Sequence, residues 1–300
     1  MCLQYKPLFD QYLAKSLKPF SCYHFSAVFA WQDFFEFKFE VVADRLLVFA
    51  CAKAAVTSKQ KGWFLYLPPL GGEFDSPMVT ACFKRLKRTK LARIENISEN
   101  QLSYIDSRKY NNYLKAHEYV YRRKDLEDLN GGDYKSKRHD VHVFNEHFPR
   151  AIFRTYAPDD LAGCKALYAG WAQGRKDGHR DAVYTAMIDE NQQVHALLMA
   201  HAQALGLIGR VVEIDGVIAA YTFGYVLSPQ MFCVLLEVTD LKRAGLSAYI
   251  FNRFCSDEIV RTFDLINTMD DFGMPNVAIA KESYRPVYKL PMYTVKRKEV

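Results

Sequence analysis

The chain has 300 residues, half of them apolar and 14% aromatic; this can bury one large core or two of about 150 residues, and excludes a disordered chain. The formal net charge is +6, and the seven cysteines (2, 22, 51, 82, 164, 233, 255) are scattered, odd in number and without a C-x-x-C pair, as suits reduced cytosolic thiols and neither a disulfide scaffold nor a zinc ribbon. "MCLQYKPLFDQYLAKSL" has no signal-peptide core, and no stretch reaches the roughly 20 apolar residues of a spanning helix, so no transmembrane segment is expected and the location read is cytoplasmic.

In chain order, "FSAVFAWQDFFEFKFE" (25–40) reads as aromatic helical material. Two strand-like runs follow, "RLLVFACA" and "GWFLYLPPLGG", then a helix, "PMVTACFKRLKR", entered through Asp75, Ser76 and Pro77. "KLARIENI" is a strand candidate, and "QLSYIDSRKYNNYLKAHEYVYRRKDLEDLNGG" closes on a glycine pair. "DYKSKRHDVHVFNEHFP" reads as a basic helix with Val141, Phe144 and Phe148 on one side. A strand, a Pro-Asp turn and a helix are predicted from "RAIFRTYAPDDLAGCKALYAGWAQ", then a long helix from about 181 to 205. "GRVVEIDGVIAAYTFGYVLSPQMFCVLLEVTD" predicts three strands, the first two joined by a tight hairpin at Asp215–Gly216. A glycine-containing loop and a helix come next, then the strand "FDLINTMDD" and an ending strand in "YRPVYKLPMYTVKRK". Strands followed by a Gly-bearing loop and a helix occur in both halves, a weak repeat at about 150 residues.

Much of the positive charge lies in "KRLKRTKLAR", "YRRK" and "YKSKRHDVH", which could attract phosphates or lipid head groups or could be solvated helix faces. Lys242-x-x-Gly245-x-Ser247 stands between a strand and a helix, where glycine permits close backbone approach and the first helical N–H groups favour an anion; a simple connection is the plainer reading. His139 and His142, with His147 beyond, lack the acid of H-E-x-x-H and any cysteine partner, so no metal site is expected. There is no G-x-S-x-G elbow, Walker loop or dinucleotide fingerprint. In "LINTMDDFGMPNVAIAKESYRP" (265–286), Asp270 and Asp271 precede Gly273, and Lys281 and Tyr284 follow. These residues fit a strand-end turn with solvated charges, or a base and a cation placed for chemistry.

Taken in order, these segments resemble the C-terminal domain of bacterial phosphatidylglycerol lysyltransferases, from about Ser26 to Tyr293. The likeness is carried by "FSAVFAWQDFFEF", "LYLPPLGG", "EYVYRRKDLEDLNGGDYKSKRHDVHVF", "EIDGVIAAYTFG", Glu237 with Gly245, and "INTMDDFG…AKESYRP". The chain departs from the family pattern Asn-Arg-Glu-Glu-Asp-x-Gly after Asn267, carries Ala278 where an Arg is usual, and has Val238 where the family has Lys.

The resemblance implies a mixed α/β (α+β) chain of two tandem GNAT-like domains, each a mostly antiparallel twisted sheet flanked by helices, expected over 1–150 and 151–300 with the active site in the second. It implies transfer of an aminoacyl group from aminoacyl-tRNA to a lipid or small-molecule acceptor, with no tightly bound cofactor, and as partners a tRNA acceptor end and an anionic lipid surface met peripherally at the inner membrane face. On that reading Asp270 or Asp271 is the base or binds the donor's amino group, Lys281 stabilises the oxyanion or a phosphate, and Tyr284 protonates the leaving oxygen. Lys242, Gly245 and Ser247 cradle phosphate, while Glu237, Asn267, Lys137 and Arg138 contact substrate or an anionic partner. The alternatives are an acyl-CoA-dependent N-acyltransferase and a non-catalytic binding protein on a transferase fold.

Overall fold

A computed structural model describes residues 3–17, 20–53, 62–86, 90–177 and 182–298, which leaves Cys2, residues 87–89 of the first basic run and the expected start of the long helix at 181 outside the described residues. The chain opens with helices α1 (Lys6–Leu13) and α2 (Phe25–Ala30), the latter capped by the His24 ring, which accepts from the Ser26 N–H. The aromatic segment expected to be helical is helical only this far. From Phe35 its apolar residues alternate at Phe35, Phe37 and Phe39, the period of a strand, and β1 (Phe35–Val42) forms a hairpin with β2 (Arg45–Ala52). Ala43 and Asp44, both at positive φ (47° and 53°), supply the two-residue turn that such a hairpin requires.

Strand β3 is only Phe64–Leu65, and past Pro68 and Pro69, which have no N–H to donate, Leu70 exchanges two backbone hydrogen bonds with Leu46 of β2. Helix α3 (Ser76–Arg85) is capped as predicted: the Met78 N–H donates to Asp75 Oδ1 at 2.7 Å. Then come β4 (Arg93–Ser98), β5 (Tyr110–Arg122), α4 (Arg123–Asp128), α5 (Lys135–His147), β6 (Ile152–Thr155), α6 (Leu161–Asp177), α7 (Ala182–Ala200) and α8 (Ala202–Leu205). Strands β7 (Ile208–Ile214) and β8 (Val217–Ser228) meet at the predicted hairpin, with Asp215 at φ 49° and Gly216 at φ 80°. The chain ends in β9 (Met231–Thr239), α9 (Leu246–Cys255), β10 (Leu265–Asp270), α10 (Pro275–Glu282) and β11 (Tyr288–Arg297).

Contacts divide the chain into two compact units: Met1–Tyr119 with Met269–Ala278 and Lys289–Val300, and Val120–Thr268 with Ile279–Tyr288. The first division thus falls at 119/120 and not at the expected 150. Helix α5 belongs with the second unit because Phe144, fully buried, stacks 4.4 Å from the Tyr249 ring of α9. The chain end returns to the first unit because β11 pairs antiparallel with β4, Met292 opposite Ser98.

The first unit has strand order β1-β2-β3-β4-β11, antiparallel except between β3 and β4. Its core gathers Leu47, Phe49, Val79, Phe83, Ile94 and Val295 between α3 and the strands. In the second unit the order is β10-β9-β8-β7-β6, with β6 to β9 antiparallel and β9–β10 parallel. One sheet face packs Val212 and Ala220 against Phe144 of α5 and Ile250 of α9, and Tyr221 of the other face reaches His195 of α7 through its hydroxyl, 2.8 Å from Nδ1. Each unit is therefore a mostly antiparallel sheet flanked by helices, the expected layout. Five of the six described cysteines are buried thiols.

Candidate functional site

In the second unit, β9 and β10 run parallel over only three residue pairs, ending at Cys233 opposite Asn267. Beyond that point β9 continues to Thr239 paired with β8 alone. A parallel pair that parts in this way leaves backbone and side chains of both strands facing a gap, a place where a ligand can enter between strands.

Glu237 lies on the diverging part of β9, directly opposite Thr222 of β8. Its Oε2 is buried with no hydrogen-bond partner among the described residues, and so is Oγ1 of the fully buried Thr222. Burial pushes the Glu237 carboxyl up to about 8, and the Lys281 ammonium offsets only part of that. Lys281, in the last turn of α10, donates to the Thr268 carbonyl and, at 3.3 Å, to Thr268 Oγ1; its own carbonyl accepts from the Tyr121 hydroxyl at 3.0 Å.

Tyr284 packs edge-on against Phe251, centroids 4.9 Å apart, and carries the Lys137 ammonium 4.2 Å over its ring. Burial, and then the Glu237 charge, hold its hydroxyl far above the usual phenol range, so it stays protonated. Lys137 is correspondingly lowered by burial, partly countered by Asp140. Asn267 is fully buried on β10. Glu237, Lys281, Tyr284 and Lys137 are therefore brought together. Arg138 does not join them: its Nη1 donates to the Leu129 and Gly131 carbonyls, the latter at 2.7 Å, and so closes the end of α4.

The loop before α9 presents exposed Lys242, Ser247 is exposed in the first turn of α9, and Gly245 opens the helix at φ 77° with no side-chain cap. Gly245 has a second reason to be glycine, because a Cβ there would lie 2.0 Å from the Asp140 carbonyl oxygen. The loop also contains an acid: Asp240 Oδ1 accepts from the Lys242 N–H at 3.0 Å, and Oδ2 from Arg243 at 3.4 Å.

Asp270 and Asp271 belong to the first unit. Each satisfies a turn amide two residues on, Asp270 the Phe272 N–H at 3.3 Å and Asp271 the Gly273 N–H at 2.9 Å. Asp271 Oδ2 also accepts from the Tyr119 hydroxyl at 2.7 Å. Burial acts to raise Asp271, but the Tyr119 and Gly273 donors outweigh it and leave the carboxyl below its ordinary range. The turn itself is held in an uncommon conformation, with Met269, Phe272 and Gly273 all at positive φ.

Among the histidines of α5, His142 Nε2 lies 3.2 Å from Glu146 and His147 Nδ1 lies 2.7 Å from the Val143 carbonyl oxygen. Among the described residues no cluster of His, Cys, Asp and Glu could hold a metal ion, and no helix is long and apolar enough to cross a membrane. Thr222 and Thr268 are the site residues that sequence reasoning missed. The available signal for Thr222 was a hydroxyl between Ala220 and Gly224 on an inward-facing position of a strand.

The family model for the phosphatidylglycerol lysyltransferase C-terminal domain matches residues 17–296. The chain belongs to this lysyltransferase family. No curated protein matches. A conserved protein of unknown function from Bacteroides thetaiotaomicron is 22% identical, covers 99% of this chain and 98% of its own, and superposes with a TM-score of 0.83. L-PGS from Bacillus licheniformis is 14% identical over 89% of this chain and 85% of its own, TM-score 0.63. A tandem GNAT protein from the clavulanic acid biosynthesis pathway is 10% identical over 99% and 97%, TM-score 0.50. At these identities the likeness establishes a fold: two GNAT-like units of the lysyltransferase family.

Proposed function

We propose that this family member transfers an aminoacyl group from aminoacyl-tRNA to a lipid or small-molecule acceptor, with the donor ester entering where β9 and β10 part in the second unit. The observation that carries the reading is the grouping of Glu237, Lys281 and Tyr284 beside that gap, within a chain whose family is named for lysyl transfer. The attacking O–H or N–H loses its proton to solvent as it adds. The acceptor adds to the ester carbonyl, and the Lys281 ammonium, anchored on Thr268, stabilises the resulting oxyanion. On collapse the C–O bond to the tRNA ribose breaks and the Tyr284 hydroxyl protonates the leaving oxygen; its proton is replaced from solvent. Asp271, held below the ordinary carboxylate range, supports its turn in the first unit. Lys242, Ser247 and the opening amides of α9 hold a donor phosphate. An anionic lipid surface, met peripherally, is the acceptor phase that suits the net charge of +6.

The test is a transfer assay with charged tRNA and anionic vesicles. Lys281→Met should lower the transfer rate by about 10²–10³-fold without changing the fold, and Tyr284→Phe by about 10²-fold. Unchanged rates in both variants would remove these assignments. An acyl-CoA donor is the second reading, supported by the bare Gly245 helix entry; a thermal shift with acetyl-CoA but none with aminoacyl-tRNA would favour it.

A further inference from the structure

We propose that the free edge of β1 pairs antiparallel with the same edge of a second copy of this chain, about a two-fold axis at Phe39. Among the described residues β1 is the outermost strand of the first unit's sheet, and it runs the full length Phe35–Val42. Its outward groups follow from what β2 does on its other side. Leu46 of β2 exchanges backbone hydrogen bonds with Leu70, at 2.8 and 2.9 Å, and the Val48 carbonyl accepts from the Tyr66 N–H at 2.8 Å. Their partners across the hairpin, Val41 and Phe39, therefore stand at the non-bonded positions of the β1–β2 ladder, and alternation puts Phe37 there too. The N–H and C=O of Phe37, Phe39 and Val41 point out along the edge.

A long open edge is normally blunted by charge that repels a second strand. On β1 the charges instead alternate in sign along one face, as Glu36, Lys38 and Glu40. A ladder forms only where outward residues meet outward residues, so the available registers lie two residues apart. With Phe39 opposite Phe39 of the second copy, Phe37 meets Val41, and Lys38 meets Glu40 on both sides of the axis. Every outward N–H then finds a carbonyl. A slide of two residues one way sets Lys38 opposite Lys38 and Glu36 opposite Glu40; the other way sets Glu40 opposite Glu40, and both are repulsive. A slide of four, with Phe37 on the axis, brings Glu36 to Lys38 but draws on the Phe35 N–H, which already donates to the Trp31 carbonyl at 2.9 Å. The opposite slide runs into the Ala43–Asp44 turn.

Both faces suit the Phe39 axis. Val41 is 50% exposed, and Phe39, stacked 5.3 Å from the Tyr5 ring, is half-buried; across the axis they gain Phe37 and Phe39 as apolar neighbours. On the charged face Arg85 donates to Glu40 Oε1 at 2.9 Å and holds that carboxylate in place. The pairing is isologous, so one edge serves both copies and the assembly closes as a dimer. It involves none of Glu237, Lys281 and Tyr284 and is independent of the transfer reading.

Sedimentation velocity of the full chain, from micromolar to millimolar concentration, tests the proposal. The wild type should show a reversible monomer–dimer equilibrium, a weak one because a single strand edge buries less than a standard interface. Lys38→Glu and Glu40→Lys should each raise the dimer Kd about tenfold or more, since like-charge pairs replace opposite ones on both sides of the axis. Mixed together, the two variants should associate as the wild type does, because the acid introduced at 38 meets the lysine introduced at 40. The double variant Lys38→Glu/Glu40→Lys should do the same alone. Misfolding would not be repaired by mixing, so the rescue reads the pairing itself. Glu36→Lys should leave the Kd unchanged, because Glu36 faces Val42 in this register. A wild type that stays monomeric at millimolar concentration, single variants that dimerise like the wild type, or a mixture no tighter than its components would each overturn the inference. A weakened dimer in Glu36→Lys would overturn the Phe39 axis.

Discussion

Glu237 occupies a strand position whose neighbours Leu236 and Val238 are buried on the opposite face, and among the described residues the Lys281 ammonium is the charge that offsets the burial of its carboxyl. Its raised pKa fixes a sign. Between the ordinary carboxylate value and about 8 the folded chain binds the proton that the unfolded chain has lost, so this residue withdraws stability as pH rises through that window. Glu237→Gln should therefore unfold later than the wild type by about 2–4 kcal/mol at pH 9, with the gap closing towards pH 4; a denaturant midpoint measured across pH reads it directly. Arg210 and Asp257 are the opposite case, a buried pair with both partners' hydrogen bonds made. Asp257→Ala leaves the guanidinium uncompensated and should cost about 3–5 kcal/mol, seen as a large fall in midpoint. At this scale the sequence was read unevenly. Lys281 and Tyr284 stand out in the sequence through their place in a family segment, whereas Thr222 does not, because what makes it notable is the residue across the strand. Arg138 reads as surface charge in "YKSKRHDVH", and only the fold shows its guanidinium committed to the carbonyls that end α4.

Among the elements, those with a strict local period were legible. The Asp215–Gly216 hairpin, the Asp75 cap of α3 and the apolar side of α5 each follow from a few neighbouring residues. The segment 25–40 was misread because continuous aromatics obscure a change of period, and the helix yields to a strand where every second residue is Phe. The α9 entry holds a lesson about glycine. Gly245 was singled out for phosphate, yet the structure gives it a packing reason as well, the approach of the Asp140 carbonyl. Gly245→Ala would force both a positive φ and a collision with backbone. It should cost about 3 kcal/mol or more and lower Tm accordingly, even if no phosphate ever binds there.

At the scale of the whole molecule, two tandem units were anticipated and their boundaries were not. A midpoint at 150 follows from length, but strand pairing is non-local, and β11 completes the first unit from the far end of the chain. Residues 1–150 alone should therefore lack a cooperative unfolding transition, since β4 loses its antiparallel partner; chemical denaturation followed by far-UV circular dichroism checks this. Family membership covers both units, and the proposed chemistry, aminoacyl transfer, is read by a time course with the purified chain, tRNA charged with labelled amino acids, and anionic vesicles or a primary-amine acceptor. Label should leave tRNA for the acceptor far above the blank rate, with Lys281→Met lowering it by about 10²-fold or more. Label that stays on tRNA at the blank rate, or an unchanged rate in Lys281→Met, would rule aminoacyl transfer out.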